Sequence, residues 1–513
     1  DDVLFEAEQA GAVELGERTD LRNLPLFTID PSDARDHDDA ICAKPDDDPN
    51  NIGGHIVWVA IADVAYYVQP GSSIDIEARK RGNSSYFPDR VVPMLPDALS
   101  GNLCSLHEGV DRACMSVCIK LSAEGTKLDH QFHRGIMRSP ASLSYEQAQG
   151  AFDGNYDNVT KPLAKALKDL LLAYKSASKA RDKRQPLNLD LPERKIILSD
   201  DGEVLSVDLK NRFEAHKLVE EFMVMANVCA AETLEANQET LLYRVHEEPT
   251  LEKLNALREV VEDAGLKLAK GQVLKTHHLN KLLDTAEKSE DAEIINMTVL
   301  RSMSQAYYSP SSLGHFGLNL RRYAHFTSPI RRYADLIVHR ALISTHKFGD
   351  DGLIDADREQ LKEIGEWISS TERRSMLAER DTSDRYLAAF LSDRIGLEFT
   401  GRISGIAKFG LFVKLDTSGA DGIIPLSKLG REYWRYDDRE RTLTGEDSGR
   451  IISIGMLCKV SLVEATAITG GISLEMLELE GKVIPKSSNK KISHKGRRIM
   501  RSKDKKRKRK INN

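Results

Sequence analysis

Five aspartates fall within the thirteen residues of TIDPSDARDHDDA, residues 28–40: Asp30, Asp33, Asp36, Asp38 and Asp39. Carboxylates at this density repel one another, and the repulsion raises their pKa values unless cations neutralise the group. Oxygen-only ligands suit hard divalent ions, Mg²⁺ or Mn²⁺, rather than zinc. Two such ions about 3.5–4 Å apart clamp the attacking and leaving oxygens of a phosphodiester displacement. An extended TID segment delivers Asp30, and the turn after Pro31 returns Asp36, Asp38 and Asp39 beside it. Asp36 and Asp38 alternate with His37 and can face the same way, whereas Asp33 reads as a solvated turn residue. An EF-hand loop is excluded, because counting from Asp30 puts Arg35 in the glycine place and Ile41 in the glutamate place. An acidic turn without function is the competing reading.

A second segment, RRYAHFTSPIRRYADLIVHR at residues 321–340, supplies Arg321, Arg322, Arg331, Arg332 and Arg340 together with Tyr323, Tyr333 and Phe326. The TSP turn places Arg331 and Arg332 at the start of a helix, where backbone N–H groups also attract phosphate. Arginine forks bind phosphate bidentately and neutralise charge in a transition state. Acids that hold metal, arginines that hold phosphate and aromatics that stack bases together indicate phosphoryl chemistry on a nucleic acid.

Positioning such groups takes more than one core, and 513 residues predict two to four domains. Residues 20–70 read as strands, LPLFTI and then HIVWVAIADVAYYV, joined through the hairpin composition of KPDDDPNNIGG. Residues 160–182 and 213–236 have apolar residues at helical spacing, the latter with Leu218, Phe222, Met225 and Cys229 on one side. Residues 353–390 are helical and charged. Strands first and helices later predict an α+β domain, a mixed β core with surrounding helices. From Ile395 the texture changes to short strands with glycine turns, which predicts a five-stranded OB-type barrel. There Phe409 and Phe412, beside Lys408 and Lys414, are candidates to stack bases, although opposite parity on a strand leaves one of them available to the core.

The formal charge of −6 conceals an asymmetry: residues 482–513 carry fifteen Lys and Arg against Asp504 alone, which leaves −20 on the remaining body. Such a tail reads as a disordered arm that meets nucleic acid, with a solubilising extension as the alternative. The apolar runs are broken well short of the ~18 residues of a membrane helix, so no membrane is expected. The opening, DDVLFEAEQA, has no Met and no basic n-region with an apolar h-region; it reads as a trimmed start of a non-secreted chain. The six cysteines, without a Cys-x-x-Cys pair, read as reduced thiols of a cytoplasmic protein.

With these residues in view, TIDPSDARDHDDA, IADVAYYV, RGNSSYFP, VVPMLP, LCSL, LYRVHEEP, LRSMSQAYYSP, GHFGLNL and HFTSPIRRYADLIVHR resemble the ribonuclease II / ribonuclease R family over residues 18 to 480. SSYFP and the lysine-rich tail bring the chain nearer the ribonuclease R branch. The resemblance implies an N-terminal remnant at 1–18, an RNB catalytic domain at 19–392, an OB-fold RNA-binding domain of the S1 type at 393–479 and a disordered basic tail at 480–513. It implies a processive 3′-to-5′ exoribonuclease that releases nucleoside 5′-monophosphates with Mg²⁺, or Mn²⁺. Its partners are then single-stranded RNA 3′ ends, ribosome-associated RNA among them, met by a monomer. Asp30, Asp36, Asp38 and Asp39 match the family's acidic cluster, with Asp38 most tied to cleavage. Tyr86 matches the aromatic that clamps terminal bases, Arg331 the arginine at the scissile phosphate, and Glu379 an acid near it. Leu189 stands where the family has a second aromatic, which implies a one-sided clamp. The family usually carries cold-shock domains upstream. A non-cleaving RNA-binding protein of this fold and a DNA-directed nuclease are the rival readings.

Overall fold

Alternation and turn chemistry shape the first half of the chain. In this computed structural model, which describes all but residues 190, 192, 264, 269–272, 288, 290, 291, 431, 438–441 and 485–513, the KPDDDPNNIGG segment is the predicted hairpin. It joins the antiparallel strands Asp39–Pro45 and His55–Ala62. They belong to a five-stranded sheet with Asp111–Leu121, Lys127–Arg138 and, at the edge, the short parallel strand Thr19–Asp20. The sheet is covered by the helices Ala164–Arg184 and Glu214–Ala236, the second of which buries Leu218, Phe222, Met225 and Cys229 as their spacing requires. Each such side chain contributes ~1.5–3 kcal/mol on burial. The opening helix Asp2–Gln9 adds Ala7 to the same core, and Glu6 accepts the Ile74 N–H at 3.3 Å.

One strand assignment fails. The run DVAYYV, read as a continuation of HIVWVAIA, is the short helix Val64–Tyr67. Asp63 ends the strand because its carboxylate is fully buried between Arg134, at 2.7 Å, and Arg18, at 2.8 Å. It also caps the helix by accepting the Tyr66 N–H. Tertiary ion pairing therefore overrides the strand propensity of the valines and tyrosines. A separate apolar cluster, with Leu257, Val261, Leu279, Ile295 and Val299 at its centre, belongs to the helices Leu251–Asp263, Thr276–Ala286 and Ala292–Ser302.

Two compact units emerge: residues 1–195 with 209–381, and residues 196–208 with the chain from Thr382. The charged helical stretch is Asp355–Glu359 followed by the 32-residue helix Leu361–Ser392. In the second unit the strands Glu398–Ala407, Gly410–Leu415, Asp421–Pro425, Leu457–Thr466 and Gly471–Leu479 close through the Ile423–Ser473 pairing into the expected five-stranded barrel. Ile403, Leu411, Val413, Val460 and Leu474 fill it. The basic tail lies outside the described residues from 485 onward.

Candidate active site

Asp30 ends the strand Thr28–Asp30, which pairs in parallel with Ser142–Ser144, and Asp39 opens a strand of the main sheet. The intervening loop is pinned by the LCSL segment. His37 N–H donates to Ser105 Oγ at 2.9 Å, Ser105 Oγ–H donates to Arg35 O at 3.1 Å, and Leu106 N–H donates to His37 O at 3.0 Å. Asp38 is 6% exposed. Its Oδ1 accepts the Ile330 N–H at 2.9 Å and its Oδ2 stands 3.8 Å from Arg331 Nε. Asp33, by contrast, is exposed and pairs with Lys195 at 3.1 Å, the solvated turn residue expected.

Crowding and burial have the predicted electrostatic effect. Burial, reinforced by Asp36 and opposed by Arg331 and the Ile330 N–H, pushes Asp38 up to about 8. Asp39 is held well above the usual carboxylate range by burial and by Asp30 and Asp38, and burial raises Asp36. Burial works against a charged His37, but its hydrogen bond to Asp30, 2.6 Å from Nδ1 to Oδ2, more than offsets that. Carboxylates raised in this way ionise together only when positive charge joins them, and oxygen donors of this kind suit a hard divalent cation. Among the described residues no group of three or more His, Cys, Asp or Glu side chains is arranged so as to hold a metal ion.

Without divalent cations, stability is expected to fall between about pH 4 and about pH 8, because the native state keeps protons on Asp38 and Asp39 that the unfolded chain releases near pH 4. One retained proton is worth about 1.4 kcal/mol per pH unit over that window. Since a cation competes with these protons, Mg²⁺ should raise Tm more at pH 8 than at pH 5. Melting curves at both values check this, and equal gains would exclude cation binding to these carboxylates.

The second wall brings distant segments together. The TSP turn leads into the helix Tyr333–His346 with Arg332 as its N-cap and Arg331 one residue before it. Arg331 donates from Nη2 to Ser328 Oγ at 3.1 Å, and its side chain is 41% exposed. Ser84 N–H donates to Arg331 O at 3.0 Å, which ties the segment carrying Tyr86 alongside. Tyr86 is 41% exposed, and Glu379 Oε1 accepts its backbone N–H at 2.7 Å. Burial raises the Tyr86 phenol, which lies within the fields of Arg331, Asp36 and Asp38. Asp38, Arg331, Tyr86 and Glu379 thus share one site.

Arg332 does not present itself to a ligand there. Its Nη2 donates to Asp335 Oδ1 at 2.8 Å, and its side chain is only 17% exposed, because an acid one helical turn along draws the guanidinium inward. Leu189 packs on the separate helical cluster. In the barrel unit Phe409 is 61% exposed and Phe412 half-buried, edge to face at 6.0 Å, and neither lies in the barrel core. Sequence reasoning missed Ser105 and His37, which hold the acidic loop. It also missed Tyr145, whose ring stacks on His216 at 3.7 Å and whose phenol, raised by burial and by Asp39 and Asp30, stays protonated beside the acids. The alternation around His37 was the only signal that pointed to any of them.

Comparison with known proteins identifies two domains and a family. Residues 18–347 match the RNB domain and residues 392–476 the S1 RNA binding domain. The chain belongs to the RNB-domain family. It is 40% identical over 449 residues to ribonuclease R of Escherichia coli (strain K12), covering 85% of this chain and 55% of that protein. The chain thus spans little more than half the length of that curated relative. Among solved structures it is similar to Mycoplasma genitalium RNase R in complex with ribose-methylated single-stranded RNA, at TM-score 0.87 and 29% identity over 93% of this chain and 74% of that one. The same enzyme in complex with double-stranded RNA matches at TM-score 0.79 and 29% identity, over 92% and 79%. No helix among the described residues is long and apolar enough to cross a membrane.

Proposed function

We propose that this chain is a processive 3′-to-5′ exoribonuclease that hydrolyses single-stranded RNA to nucleoside 5′-monophosphates. The observation that carries the reading is the meeting of Asp38, Arg331 and Tyr86, from three distant segments, at one site whose acids are electrostatically incomplete without cations. Asp30, Asp36, Asp38 and Asp39 would hold divalent cations, Mg²⁺ or Mn²⁺, which would supply an activated water and neutralise charge on the phosphodiester. The chain does the rest. Arg331, oriented by Ser328 and Asp38, grips the non-bridging oxygens of the scissile phosphate and stabilises the charge that develops there. The exposed face of Tyr86 stacks the terminal bases, a contact that tolerates any sequence. Glu379 fixes the backbone beneath that ring, and Phe409 and Phe412 offer stacking faces on the barrel.

Support for RNA comes from the relatives, whose complexes hold single-stranded and double-stranded RNA. Single-stranded 3′ ends, including those of ribosome-associated RNA, are the substrates this reading implies, taken by a cytoplasmic monomer. The basic tail would hold flanking RNA against an acidic body. Incubating 5′-labelled RNA with Mg²⁺ or with EDTA tests the activity: progressive shortening in Mg²⁺ alone is expected, and no shortening sinks the reading. A parallel DNA strand should resist, because 2′-OH contacts select RNA.

Tyr86→Ala should lengthen the final undigested product. Each stacked base is worth ~1–3 kcal/mol, and short remnants depend on stacking most. Denaturing gels of exhaustive digests measure the length, and an unchanged end product would reduce Tyr86 to a packing residue.

A further inference from the structure

The helix Leu361–Ser392 carries Trp367, Thr371, Ser375 and Glu379 at a constant spacing of four, so they form one stripe along its length. Each meets the segment 79–86, in the same order. Trp367 Nε1–H donates to Arg79 O at 2.9 Å. Thr371 is buried against Gly82, where a Cβ would stand 2.0 Å from Thr371 Oγ1 and where φ is +76°. Only glycine fits there, on both counts. Ser85 Oγ and Ser375 Oγ are hydrogen-bonded at 2.8 Å, and Glu379 Oε1 accepts the Tyr86 N–H at 2.7 Å. The other edge of the segment is held by backbone bonds, Tyr333 N–H to Gly82 O and Ser84 N–H to Arg331 O, both 3.0 Å.

The Tyr86 platform is therefore clamped between a helical stripe and the turn that presents Arg331. Sliding the segment along the helix would break all four stripe contacts at once, so the stripe defines a register. The last side-chain pair before Tyr86 is Ser85 with Ser375, two hydroxyls with no place in the acid–arginine cluster.

Resting on the exoribonuclease reading, we propose that Ser375 is a positioning residue. Its bond to Ser85 sets how far the Tyr86 ring stands from Arg331, and through that distance the length at which digestion stops. The number of bases that fit between ring and guanidinium is fixed by this register rather than by any contact of the serines with RNA.

The test compares Ser375→Ala, Ser375→Thr, Ser85→Ala and the double alanine variant in the full chain, on a pentanucleotide and on long unstructured RNA. Ser375→Ala is expected to lower kcat/KM on the pentanucleotide about fivefold, the worth of one neutral hydrogen bond. The limit product should lengthen by about one or two nucleotides, as terminal stacking is displaced. Cleavage of long RNA should change less than about twofold, because contacts along the strand dominate its binding. Ser375→Thr, which keeps the hydroxyl, should restore the limit product, and the double variant should be no worse than either single one. An unchanged limit product overturns the assignment. So do parallel losses on short and long RNA that track a lower Tm, which would make the bond merely structural. Failure of the unaltered chain to shorten any RNA is a separate result, one that removes the exoribonuclease reading and this proposal with it.

Discussion

Asp38→Asn is expected to lower kcat by about three orders of magnitude or more, the scale at which a lost electrostatic contact to the reacting group is felt, while RNA binding stays close to that of the unaltered chain. The amide is nearly isosteric, and its Oδ1 can still accept the Ile330 N–H that Asp38 holds at 2.9 Å. What disappears is one unit of ligand charge at the most deeply buried of the four acids, and with it the hold on a cation. Folding should not suffer. Burial already disfavours the ionised form of Asp38, so a neutral side chain relieves the site, and Tm at pH 8 without Mg²⁺ should rise. Single-turnover hydrolysis and equilibrium binding measured side by side check both halves. Retention of a tenth of the activity would show that Asp38 is peripheral.

Arg331→Ala should lower kcat by about two to three orders of magnitude, with a smaller effect on KM, since the guanidinium acts where charge develops. Arg331→Lys should recover little, because a point charge cannot reproduce two parallel N–H bonds to a phosphate. A pH signature accompanies the loss. Arg331 is among the groups that lower the Asp38 pKa, so removing it lets that pKa climb and moves the acidic limb of the rate profile to higher pH. Steady-state kinetics across pH check this, and wild-type kcat in Arg331→Lys would remove the arginine from the chemistry.

How much of this was legible in the sequence follows from distance along the chain. The acidic loop could be read because its four candidate ligands lie within ten residues and its turn is announced by Pro31. The helix Glu214–Ala236 could be read because its period is strong, and the barrel because glycine turns separate its short strands. The pairing of the Tyr86 segment with Arg331 left no local trace, since backbone N–H to O bonds between loops are carried by any residue type. Arg332 looked equivalent to Arg331 because what separates them, Asp335 drawing in the one and Ser328 and Asp38 orienting the other, acts through rotamer choice. DVAYYV misled for a similar reason: the ion pairs that end the strand at Asp63 come from Arg18 and Arg134, far away in sequence.

The contacts that complete the site, Asp38 with Ile330 and Tyr86 with Glu379, join residues 292 and 293 positions apart. Loops of that size close late, because the entropy of bringing their ends together must be met before any contact rewards it. During synthesis the acidic loop and Tyr86 are therefore made long before the Ile330–Arg331 and Glu379 segments that contact them. On the exoribonuclease reading, a chain cut short before residue 331 would hold the acids without the guanidinium that acts beside them.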